Sequence, residues 1–181
     1  MIICLTGMPG SGKSTAAKIF EKASFRVFEG SATIKEEMEK RGIEITSENI
    51  EVFTNKMKNE NGKAFFAAIT GKKVLAAAKD SDVLVIGFRS TAEFEELQKA
   101  IGSKIPLIVL TSPESIRFQR LSERKTIPIK SKEAFLTRDK GNIDQGIDKL
   151  IENADYLISN TGSTGELEES IIELLKKLGD E

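Results

Sequence analysis

The 181-residue chain carries 27 lysines and arginines against 28 aspartates and glutamates, for a net charge of −1. That balance excludes the broad positive field expected of a protein that binds nucleic acid or an anionic membrane through its overall charge. It has no histidine and a single cysteine, Cys4, which removes His-based triads, His metal ligands and any intrachain disulfide. Hydrophobic residues make up 39% and charged residues 30%, an ordinary globular composition long enough for one domain with a real core. No apolar run reaches the length of a spanning helix and the N-terminus lacks a signal-peptide pattern, so a cytoplasmic protein is expected.

In chain order, Ile2–Thr6 is an apolar run of strand length, and Cys4 within it reads as a small buried core residue. Gly7-Met8-Pro9-Gly10-Ser11-Gly12-Lys13-Ser14 follows and fits G-x-x-x-x-G-K-[ST] at every fixed position. A helical pattern over 13–22 comes next, completing a strand–loop–helix unit. In such a unit the glycines let the loop wrap its backbone N–H groups around phosphates. Lys13 reaches the β- and γ-phosphates, the Ser14 hydroxyl can ligate Mg²⁺, and the helix aims its positive dipole end at the anion. Gly7, Pro9, Gly10, Ser11, Gly12, Lys13, Ser14 and Thr15 are therefore the candidate nucleotide-binding residues, with ATP and Mg²⁺ as the expected ligands.

Further strand-like runs lie at 25–29, 82–87, 105–110 and 155–159, several of them continuously apolar, as strands covered on both faces should be. Helical patterns occupy 32–41, 47–60, 63–79, 91–101, 113–124, 132–140, 142–153 and 164–178. Ser47 is a plausible cap, Ser112-Pro113 a helix start, and Gly102 a helix stop. Strand–helix alternation implies a parallel sheet whose ligands bind at the carboxyl ends of the strands. The stretch 30–80 is too long for a simple crossover and reads as an inserted helical subdomain. Residues 117–140 form a second, charge-rich insertion around Thr126–Lys130. No internal repeat or interdomain linker is visible, so 1–181 reads as one domain.

Four of the seven arginines lie between 117 and 138. Arg117, Arg120 and Arg124 fall at i, i+3, i+7 and can share one helix face. Such a face either supplies the fixed positive charge that phosphoryl transfer needs or is a solvated row paired with Glu114 and Glu123. Arg89 follows the third strand in Gly87-Phe88-Arg89-Ser90. Its planar guanidinium suits a monophosphate; the alternative is a structural ion pair with Glu93 or Glu95. Lys35 lies one turn into the helix entered from strand two. Asn160-Thr161-Gly162-Ser163 either borders a purine edge or is a connecting turn capped by Ser163 or Thr164. Phe65-Phe66, Phe25 and Phe28 read as core.

With these residues in view, the chain resembles the nucleoside monophosphate kinase and dephospho-coenzyme A kinase group of P-loop kinases, and within that group an archaeal set of adenylate-kinase-related proteins. The resemblance rests on Ile3–Ser14, Gly87–Glu93, Arg117–Arg124, Arg138-Asp139 and Ala154–Ser163. It implies a three-layer α/β/α fold with a five-stranded parallel sheet ordered 2-3-1-4-5, an acceptor-binding insertion at about 30–80 and a lid at about 117–140. It also implies that Arg89, with Lys35 and Arg138, binds the acceptor. Lys13, Arg120 and Arg124 would serve transfer, with Glu29 as the nearby carboxylate, and Asn160 and Thr161 would border the donor adenine. The implied substrates are small nucleotides, with neither nucleic acid nor membrane as partner. Three departures stand out. Ile86 and Ser31 occupy positions where relatives carry aspartates, and Lys140-Gly141 follows Arg138-Asp139 in place of a second arginine. An alternative therefore stands beside the kinase: a nucleotide-binding protein with a sensor or regulatory role.

Overall fold

The computed structural model describes residues 1–124 and 128–180; Thr126 and Ile127 of the run around Thr126–Lys130 lie outside them. Among the described residues there are five strands: β1 Ile2–Thr6, β2 Arg26–Glu29, β3 Val83–Ile86, β4 Leu107–Thr111 and β5 Tyr156–Ser159. The helices are α1 Lys13–Lys22, α2 Gly30–Glu39, α3 Ser47–Asn61, α4 Phe65–Ala77, α5 Thr91–Ile101, α6 Glu114–Ser122, α7 Lys132–Asp144, α8 Ile147–Glu152 and α9 Thr164–Gly179. The strands form one sheet in the order β2-β3-β1-β4-β5, every neighbouring pair parallel, as the resemblance implies.

Alternation along β1 explains the layers. Ile3 and Leu5 face α1 and α9, packing with Phe20, Ile19, Leu167 and Ile171. Cys4 points the other way, with Val83 and Val85, into Ala67, Val74, Leu97, Ile101 and Leu150 of α4, α5 and α8. Both faces are covered at the centre of the sheet, so β1, β3 and β4 read as continuous apolar runs rather than alternating ones. Full burial pushes the Cys4 thiol well above its ordinary pKa, and the residue is inert packing.

The 30–80 stretch divides by packing. Met38, Phe53 and Phe66, with Ile34, Ile50 and Met57 against them, give α2, α3 and the start of α4 a small core of their own. The rest of α4 lies on the sheet as the crossover from β2 to β3. There it crosses α5 so closely that a methyl group on Gly71 would sit 2.5 Å from the Cβ of Ala100.

Several helix ends differ by a residue or more from those expected. Thr46 rather than Ser47 caps α3, accepting from the Asn49 N–H at 3.1 Å. Pro113 occupies the capping position of α6 instead of its first turn. The break between α7 and α8 falls at Gln145-Gly146, where Gly146 adopts φ 95°; Gly141 stays inside α7. Gly102 ends α5 as expected, with φ 80°. Ser163 caps α9 and forms a capping box with Glu166. Among the described residues no helix is long and apolar enough to cross a membrane.

Candidate functional site

The loop from Gly7 to Gly12 joins the carboxyl end of β1 to the N-terminus of α1 and touches the rest of the fold at backbone distance. A Cβ on Gly10 would lie 2.7 Å from the Arg117 carbonyl oxygen, and one on Gly12 would lie 2.1 Å from Asn160 Nδ2. Both glycines have left-handed φ, 83° and 104°, so neither position accepts a side chain. The loop folds over Lys13, whose Nζ donates to the carbonyls of Gly7 at 2.6 Å and Met8 at 3.0 Å. Ser14 is exposed at the first turn of α1, while Ser11 is fully buried beneath the loop.

The loop floors a cavity of about 440 Å³. Its walls bring together Lys13, Ser14 and Thr15 with Arg89 from the β3–α5 loop, Arg120 and Arg124 from α6 and the chain beyond it, and Arg138 from α7. Phe88, Leu121, Asn142 and Ile147 supply the remaining side chains. Among the described residues, no carboxylate lines it. Among the described residues, the guanidinium groups of Arg89, Arg124 and Arg138 make no ion pair. The convergence of charge shows in the lysine. Burial, then the positive charges of Arg89, Arg138, Arg124 and Arg117, push Lys13 down to a pKa of about 7. The Arg138 guanidinium is likewise lowered, by burial first and then by Arg124 and Arg89, with Asp139 opposing. Unpaired cations at this density are a site for a multiply charged anion.

The arginine row separates into two groups. Helix α6 ends at Ser122, so Arg124 lies beyond it. Arg117 faces away from the cavity into a buried ion pair with Asp139 and is not one of the solvated row. Glu114 pairs with Lys132, and Glu123 accepts from Gln119 at 3.0 Å, so neither takes up the arginines. Arg89 makes no ion pair with Glu93 or Glu95. Instead its backbone N–H donates to Glu93 Oε2 at 3.0 Å, while Glu93 Oε1 accepts from Lys58 at 2.9 Å. The Thr6 hydroxyl fixes the same loop from below by donating to the Phe88 carbonyl at 2.8 Å.

Other expected residues lie outside the cavity wall. Glu29 is exposed at the end of β2, at the residue before α2, and accepts from the Ser31 hydroxyl at 3.3 Å without a side-chain bond to the helix backbone. Lys35 is exposed on α2. Asn160 is buried under the phosphate loop and Thr161 is exposed beside it. Ile86, paired in register with Leu5 and Glu29, is buried at the end of β3. Asn142 and Ile147 belong to none of the motifs read from the sequence. Asn142 stands four residues after Arg138 on one helix face, a spacing that could have found it; its Nδ2 donates to the Arg138 carbonyl at 2.7 Å.

The cavity fits a nucleotide's polyphosphate: a glycine cradle that a Cβ would fill, at a helix N-terminus, under a cationic wall. For Mg²⁺ the wall offers the Ser14 hydroxyl, consistent with an ion held mainly by phosphates and water.

A parallel 2-3-1-4-5 sheet with this loop at its carboxyl edge defines a P-loop kinase-like, nucleotide-binding fold. A family model described as an AAA domain matches residues 3–144. UPF0200 protein PH1008 of Pyrococcus horikoshii is 35% identical over 98% of this chain and 97% of its own length. The chain belongs to the UPF0200 family. Among solved structures, a gluconokinase from Sinorhizobium meliloti aligns with a TM-score of 0.64 and 16% identity, covering 98% of this chain and 93% of that one. Shikimate kinase from Acinetobacter baumannii, in complex with shikimate, aligns with a TM-score of 0.61 and 18% identity, covering 97% and 93%. At these identities the likeness is one of fold.

Proposed function

We propose that the protein is an ATP-dependent phosphotransferase acting on a small phosphorylated acceptor, a nucleoside monophosphate or dephospho-coenzyme A. The observation that carries this reading is the cationic, carboxylate-free wall around the phosphate loop. An alcohol acceptor must lose a proton as it attacks, which calls for a nearby base. A phosphate acceptor attacks through an oxygen that is already anionic. The missing base thus favours the nucleoside monophosphate of the two.

In this reading the loop N–H groups and Lys13 hold the β- and γ-phosphates, and Arg89 holds the acceptor phosphate. An acceptor oxygen bonds to the γ-phosphorus while the bond to the β–γ bridging oxygen breaks, releasing ADP. Arg120, Arg124 and Arg138 neutralise the charge that spreads over the transferring group. Mg²⁺, held through Ser14, the phosphates and water, would offset the same charge from the other side. The α2–α3 insertion, with Lys35, forms the acceptor side, and 117–140 forms the lid that excludes water. Glu29, at the end of β2, is the carboxylate assigned to the acceptor side. A cytoplasmic protein working on small nucleotides, without nucleic acid or membrane partners, goes with this reading.

One observation favours a second reading. Buried Ile86 places no acid at the end of β3, and Glu29 stands outside the wall. A protein that binds nucleotide as a sensor or regulatory component needs neither. Incubation with ATP, Mg²⁺ and a panel of nucleoside monophosphates plus dephospho-coenzyme A separates them. ADP formation that requires one acceptor and vanishes in Lys13→Ala supports transfer. Saturable ATP binding without acceptor-dependent turnover supports the sensor.

A further inference from the structure

We propose that Arg117 and Asp139 are positioning residues that lock helix α7 to the phosphate loop, so that polyphosphate binding and the placement of Arg138 are coupled. The inference rests on the reading that the cavity binds a polyphosphate. Arg117 Nη1 donates to Asp139 Oδ1 at 2.9 Å and Nη2 donates to Oδ2 at 2.6 Å, two parallel bonds that fix the guanidinium plane. The same Nη1 also donates to the carbonyl of Pro9 at 3.1 Å. Both side chains are about nine-tenths buried, at 8% and 10% exposure.

Each end of this bridge has a defined partner in the cavity. Pro9 itself lines the cavity, and the next loop residue, Gly10, presses on the Arg117 backbone. Asp139 directly follows Arg138, whose side chain also lines the cavity. The ring of Phe135 lies 5.1 Å under the Arg117 guanidinium and packs edge-on to Phe118, so α7 has apolar anchoring of its own. A well-packed apolar pair can replace a buried ion pair without loss of stability. What the apolar pair cannot supply is the directed link from Pro9 through Arg117 to the residue beside Arg138.

The test is a double-mutant cycle read in ATP affinity with Mg²⁺ present. In the wild-type background Arg138→Ala should weaken binding roughly tenfold, the loss of one charge-assisted hydrogen bond. The paired substitution Arg117→Met with Asp139→Leu should by itself weaken binding by a similar factor. Adding Arg138→Ala to that pair should then cost less than about twofold, because Arg138 is already misplaced. The same cycle with Asp139→Asn, which keeps the shape of the site, covers a paired variant that fails to fold. Additive losses in ATP affinity, or a paired variant that binds ATP as wild type does, overturn the inference and leave the polyphosphate reading standing. A wild-type protein that binds no ATP overturns that reading and the inference with it.

Discussion

Asn160 donates its carboxamide N–H to the carbonyl oxygen of Ser11 at 2.8 Å, tying the turn after β5 to the phosphate loop across the width of two strands. Its backbone carbonyl accepts from the Ser112 hydroxyl at 2.6 Å, and its carboxamide oxygen accepts from Arg120 at 3.4 Å. Arg120 also donates to the Ser112 hydroxyl at 3.1 Å. An arginine in the cavity wall, a serine and a buried asparagine thus brace the loop from beneath. Asn160→Ala removes the shorter of the two bonds to the Ser11 carbonyl, leaving it the Ser112 hydroxyl at 3.5 Å, at about 1 kcal/mol. A thermal melt should show a drop of a few degrees, at about 2–4 °C per kcal/mol for a chain of this size, together with weaker ATP binding. An unchanged melting temperature would contradict the bracing role.

Lys13 gives the site a pH dependence with a definite sign. Its pKa, lowered from 10.5 to about 7 in the free protein, rises when a polyanion arrives beside it. ATP binding above about pH 7 should therefore take up a proton, and affinity should fall with rising pH by at most about tenfold per unit. In the free protein the unfolded chain holds the extra proton between about 7 and 10.5, so this group adds stability as pH rises through that window. Calorimetry at pH 8 in buffers of different ionisation enthalpy measures the uptake. Lys13→Met should abolish it, and a wild-type protein that binds ATP with no uptake would contradict the perturbed lysine.

Arg89 makes no ion pair among the described residues, and its backbone is held by Glu93 and by the Thr6 bond to Phe88. Arg89→Ala should leave the fold intact and ATP affinity nearly unchanged. Acceptor KM should rise roughly 10–100-fold, the range for a lost charge-assisted contact. Equal losses for ATP and acceptor would refute the assignment.

Gly71 tests the packing of α4 on the sheet. Alanine is the better helix former by about 1 kcal/mol, yet its methyl group would meet the Ala100 Cβ at 2.5 Å. Overpacking of this kind costs about 1–3 kcal/mol, so Gly71→Ala should lower the melting temperature despite its higher propensity. A rise in melting temperature would show that the two helices can separate freely.

The phosphate loop and the positions of the elements are legible in the sequence because they depend on local pattern. A glycine loop between an apolar run and a helical period identifies itself, and the three inner strands, β1, β3 and β4, betray their two covered faces by being apolar almost throughout. The fate of Arg117 is not legible in this way. Its i, i+3, i+7 spacing with Arg120 and Arg124 suggests one face, but α6 stops at Ser122 and the deciding partner, Asp139, comes from another helix. Asn160 is similar: nothing in Asn160-Thr161-Gly162-Ser163 announces that its carboxamide turns inward to Ser11. The helical patterns over 132–140 and 142–153 place the break at residue 141, whereas Gly141 stays inside α7 and the left-handed Gly146 makes the turn.

Calorimetric titration of the purified protein with ATP in the presence of Mg²⁺, alongside Lys13→Ala, tests the central claim most directly. The account predicts saturable one-site binding in the wild type and its loss in a folded Lys13→Ala variant. A wild-type titration with neither heat nor a rise in melting temperature, with ATP or with GTP, would contradict it.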